Sequence, residues 1–115
     1  MNISDFIKRL RKDPEGITFQ NTLDVIEAHY DFKPASFVNG SITNDVGQNS
    51  GSCKLFSFAK IQGLEEEDTL TCFGEYYRNV VQYPDGTDHQ NIRNFMKTGW
   101  SGISFKDQAL TKRLA

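Results

Sequence analysis

Apolar residues recur along this chain mostly at helical spacing. In the opening segment Ile3, Phe6, Ile7 and Leu10 fall at i, i+3, i+4 and i+7, one face of a helix. Asn2 or Ser4 can cap it and Pro14 ends it. Its basic residues, Lys8, Arg9, Arg11 and Lys12, crowd the C-terminal half, where they complement the helix dipole. Thr18 can cap a second helix with Phe19, Leu23, Ile26 and Tyr30 on one face. The spacing predicts an antiparallel helix pair over residues 1–33, closed by Pro34.

A polar stretch follows. Between Asn39 and Ser52 only Ile42 and Val46 are apolar. So long a polar connection points to a functional or disordered loop. Residues 53–62 are ambiguous. Leu55, Phe58 and Ala59 fit a helix ending at Gly63, while alternation of Leu55, Ser57, Ala59 and Ile61 permits a strand. The helix is preferred because no convincing partner strand is visible elsewhere.

The run "LEEEDTLTCFGEYYRNVVQYPDG" predicts one long helix, with Leu70, Phe73, Tyr77 and Val80 or Val81 inward and four acids at its start. Gly74 costs about 1 kcal/mol there against Ala and can mark close approach of a neighbour. Pro84-Asp85-Gly86 makes a turn. Asp88 can cap the next helix, which carries Ile92, Phe95 and Met96 inward and stops at Gly99. Ser104 with Asp107 predicts a capping box for a last helix through Leu114. The expected fold is all-α: a single compact domain over residues 1–115, with five or six short helices and one long polar loop.

Composition agrees with one globular unit. The chain has 115 residues, 24% charged and 12% aromatic, with formal net charge −2. No long basic stripe is present, which argues against nucleic acid as a main partner. No apolar run is long enough to span a bilayer. The N-terminus lacks the charged-then-apolar order of a secretory signal. Two cysteines, Cys53 and Cys72, make no disulfide framework and are read as reduced thiols.

Three chemistries deserve weighing. The run "GQNSGSCKLFSFA" leads a glycine-serine loop into Cys53, as papain-like proteases do with their nucleophile. A thiolate at a helix start is favoured by the dipole. Asn49, Ser50 and Ser52 can donate to an oxyanion, and His89 at another helix start can serve as base, oriented by Asp88 or Asn91. Against this, papain-like enzymes carry His and Asn roughly 130–150 residues later, and Lys54 replaces the expected aromatic. The spacing therefore favours a structural thiol, with a Cys53–His89 hydrolase or transferase as the alternative. Cys53, Cys72, His29 and His89 form no close ligand pair, so neither a metal nor another cofactor is expected.

The polar loop with Lys54 can hold a phosphate or carboxylate on backbone N–H groups, although no nucleotide-loop motif is present. Downstream, Tyr76 points about 100° away from the Phe73–Tyr77 face. Tyr76, Arg78, Arg93 and Trp100 are residue types enriched at binding hot spots. The candidate binding residues are thus Asn39, Asn44, Asn49, Ser52, Lys54, Tyr76, Arg78, His89, Arg93 and Trp100, with the expected surface joining the 39–52 loop to the starts of the Cys53 and His89 helices. The expected partner is a protein or a small anionic ligand, and the expected state is a monomer.

"SFVNG", "GQNSGSCKLFSFA", "TLTCFGEYYRNVV", "PDGTDHQNIRNFMKTGW" and "GISF", in that order, resemble the HopJ type III effector family over nearly the whole chain. The resemblance implies a small bacterial protein, either resident in the cytoplasm or injected into host cells by type III secretion. It brings no catalytic residues. Two roles are compatible with it: an effector-like binding domain associated with virulence, and a housekeeping protein that is not secreted.

Overall fold

The computed structural model describes residues 2–113. Helix α1, Ile3–Lys12, starts where Asn2 Oδ1 accepts the Asp5 N–H at 2.7 Å, and it buries Phe6 and Leu10. Pro14–Gly16 forms a 3₁₀ turn. Helix α2, Phe19–His29, opens with a reciprocal Thr18/Asn21 capping box. Its buried stripe is Thr22, Val25 and Ile26, rotated from the expected face. Thr22 can sit inside because its hydroxyl donates to the Cys72 carbonyl at 2.7 Å.

The all-α expectation is overturned by two small antiparallel sheets. Strand β1, Tyr30–Phe32, pairs with β5, Leu110–Lys112. Strands β2, Phe37–Asn39, and β3, Ile42–Asn44, form a hairpin, and β4, Ile103–Phe105, lies on the other side of β2. The first part of the supposed polar loop is therefore this hairpin. Its two-residue turn is Gly40-Ser41, and Gly40 takes φ +60°, which suits a hairpin turn with glycine first. The supposed helix from Ser104 is replaced by β4 and β5 as far as Lys112, while Leu114 lies outside the described residues. Each strand spans three residues, too few for alternation to stand out.

Helix α3, Ser50–Gln62, runs through the centre. It buries Cys53, Leu55, Phe56, Phe58 and Ala59. Apolar residues on most of its faces explain why its period was hard to read. Gly63, at φ +66°, stops it, and the N–H groups of Gly63 and Leu64 cap the Ala59 and Lys60 carbonyls. The Phe56 ring meets Phe37, Phe73, Phe95 and Trp100 at centroid distances of 6.0, 5.4, 5.0 and 6.4 Å.

The expected long helix is two: α4, Glu66–Thr71, and α5, Glu75–Gln82. The break is Gly74, at φ +60° and ψ −128°. A Cβ there would lie 2.5 Å from the Phe19 nitrogen and 2.6 Å from the Thr18 carbonyl carbon. The start of α2 thus packs directly on the Gly74 backbone, and Glu75 Oε1 accepts the Phe19 N–H at 2.7 Å. Helix α6, Gln90–Thr98, follows, capped by His89 rather than Asp88 and leading through Gly99 into a 3₁₀ turn at Gly99–Gly102.

Gly74→Ala combines backbone strain with a backbone clash. It should cost about 3 kcal/mol or more in urea unfolding; a loss near the 1 kcal/mol of a simple helix-interior change would contradict this packing.

Candidate functional site

Helices α3 and α6 start beside one another. Each is capped by a non-glycine residue in the left-handed region: Asn49 at φ 50°, ψ 49°, and His89 at φ 50°, ψ 48°. Neither side chain caps its own helix, so both helix starts leave first-turn N–H groups uncapped by a side chain. Both starts open on a cleft of about 520 Å³, lined by Asn49, Gly51 and Ser52 from one and His89, Gln90 and Asn91 from the other. Phe19, Phe73 and Tyr76 add an aromatic wall. Phe19 stacks on Phe73 at 6.0 Å and meets Tyr76 edge-on at 5.3 Å, and Tyr76 lies 5.2 Å from the His89 ring.

Behind the cleft lies a chain of buried amides. Asn39 Nδ2 donates to the Asn91 carbonyl at 2.7 Å and to Asn91 Oδ1 at 3.0 Å. Asn44 and Asn91 exchange side-chain bonds at 3.2 and 3.1 Å. Asn49 Nδ2 donates to Asn44 Oδ1 at 2.6 Å, which pins the α3 cap to the hairpin. Asn94, one turn on, donates to the Asn39 carbonyl at 3.0 Å. The left-handed conformation of Asn49 is held by this bond rather than by glycine-like freedom.

Four sequence candidates, Asn49, Ser52, Tyr76 and His89, therefore meet at one place. Asn39 and Asn44 stand behind it, fully buried. The remaining candidates are engaged elsewhere. Lys54 lies 3.8 Å from Glu27 and over the Phe32 ring. Arg78 holds the Ile17 carbonyl at 2.9 Å. Arg93, expected on an exposed surface, is buried and clamps the turn before α6 through Pro84 O, Asp88 O and Asp88 Oδ1. That bond holds the Asp88 carboxyl below its usual range. Trp100 packs on Phe56 and Phe95 and donates to the Leu64 carbonyl at 2.9 Å.

Cys53 is likewise turned inward. It is 1% exposed, its thiol lies 3.5 Å from the Ala35 carbonyl, and burial pushes its pKa up. No hydrogen bond joins it to His89 among the described residues, and its environment is the reverse of what an activated thiolate needs. Among the described residues no group of His, Cys, Asp and Glu is arranged to hold a metal.

The family model described as HopJ type III effector protein matches residues 3–110. The chain belongs to the HopJ type III effector family. A solved structure, "Crystal structure of unknown function protein VPA0580", is 50% identical, with 98% of this chain and 95% of that one covered and a TM-score of 0.95. No curated protein matches. The family's description links it to type III secretion. In this HopJ chain no described helix is long and apolar enough to cross a membrane.

Asn91, the hub of the amides, and Phe19 on the wall stand outside the ten binding candidates named from sequence. The available signal was Asn91 and Asn94 at i, i+3 beside the inward Ile92 and Phe95, which puts two amides on a buried flank.

Asn91→Ala should cost roughly 2 kcal/mol, because it strands polar partners in the interior; an unchanged urea midpoint would show the network to be dispensable. Cys72 offers a pH readout. Burial raises its pKa from 9.0 to about 12. Above 9.0 the unfolded chain releases this proton while the folded chain keeps it. Stability should therefore fall as pH rises through that window, by at most about 1.4 kcal/mol per pH unit from this group. Cys72→Ala should flatten that share of the slope in urea unfolding done below and above the ordinary thiol pKa.

Proposed function

We propose that this HopJ protein is a binding domain without catalysis of its own, and that its cleft takes an anionic group carried by a small ligand or a partner protein. One observation carries the reading: two helix starts, each without a side-chain cap, open on the same cleft. Partial positive charge and free N–H groups at each start favour a phosphate or carboxylate. The wall of Phe19, Tyr76 and His89 offers a flat surface to whatever bears the charge. Asn49, Ser52, Tyr76 and His89 are the contact residues of this reading, with Asn39 and Asn44 as positioning residues. The family supports delivery into a host cell by type III secretion, with the bacterial cytoplasm as the place of synthesis. The buried Cys53 gives the hydrolase alternative no support.

Titration with inorganic phosphate and with acetate, followed by NMR, tests the cleft. Saturable shifts are expected at the amides of Gly51, Ser52, Gln90 and Asn91, with Kd on the order of millimolar. Ser52→Glu, which brings its own carboxylate, should abolish them. Shifts that ignore this substitution, or that merely follow ionic strength, would remove the cleft as the site.

A further inference from the structure

A second cavity, of about 350 Å³, lies between the last turns of α3 and the segment joining β4 to β5. Its volume falls in the range of small-molecule sites. Ile61, Phe105 and Leu110 give it an apolar lining, and Ile61 is 49% exposed, a large apolar surface left to water. Lys60 from the helix and Lys106 from the segment line it too, and neither makes an ion pair among the described residues. Asp107 is the acidic group of the lining. Ser57 adds a buried hydroxyl whose neighbour inside the fold is the Cys53 thiol.

The negative end of α3 does not oppose an anion here strongly. The Ala59 and Lys60 carbonyls are already capped by Gly63 and Leu64. Two unpaired lysines against one carboxylate leave the lining with net positive charge over an apolar interior. We propose that this cavity is a binding site for an organic monoanion with an apolar body, such as a medium-chain carboxylate. Its carboxylate lies between Lys60 and Lys106, and its chain covers Ile61 and Phe105. The site shares no residue with the cleft at the helix starts, so it stands whether or not that cleft binds an anion.

Octanoate is the probe, with methyl octanoate as the uncharged comparator, both followed by NMR on the full chain. Octanoate is expected to shift Lys60, Ile61 and residues 105–110 saturably, leaving Gly51 and Gln90 in place. The Lys60→Gln, Lys106→Gln double variant should weaken it roughly tenfold through lost charge-assisted contacts. Asp107→Asn should tighten it. All three positions lie at the surface, and each variant is checked for an unchanged unfolding midpoint. Equal binding of the ester, affinity indifferent to these charges, shifts confined to the α3 and α6 starts, or no saturable shift at all would each overturn the proposal.

Discussion

The arrangement depends on one buried amide, Asn91. Its side chain bonds Asn39 and Asn44, while its backbone carbonyl holds Asn39 as well. Through Asn44 the bonds continue to Asn49 at the start of α3. A hairpin, the first turn of α6 and the cap of α3 are thus tied in one place. Only a side chain with both a donor and an acceptor can pass such bonds along, so a carboxylate or an aliphatic residue could not substitute. Buried bonds of this kind hold the amides in fixed orientations, although Asn39 Oδ1 has no hydrogen-bond partner among the described residues. The spacing of the two helix starts, and so the width of the cleft, follows from these bonds.

Much of the helical part was legible because local rules governed it. The α1 stripe, the Thr18 cap, the Gly63 stop and the Pro84 turn all act within a few residues. The strands were missed because their evidence is distant: β1 finds β5, and β2 finds β4, across most of the chain. Gly40-Ser41 did carry a hairpin signature, hidden inside a stretch that looked only polar. Gly74 was seen as a sign of close approach, and its full effect, a broken helix, required the α2 backbone to be in place. At the candidate site, a surface joining the 39–52 loop to the starts of the Cys53 and His89 helices was expected from sequence, but nothing local says that Asn49, Ser52, Tyr76 and His89 line one cleft. Arg93 and Trp100 have the chemistry of hot-spot residues, and here that chemistry serves a turn clamp and the core.

The aromatic wall has its own kinetic meaning. Phe19 reaches Glu75 across 56 residues, Asn39 reaches Asn91 across 52, and Asn44 reaches Asn91 across 47. Closing loops of this length costs entropy before any contact returns it, so such pairings form late in folding. Gly74 sits at the seam where the N-terminal helices dock on the rest. A chain with its helices formed but that seam still open has no cleft. The recognition proposed for the cleft would therefore arrive in one step with the final docking, and any ligand seated there would report complete folding and resist its reversal.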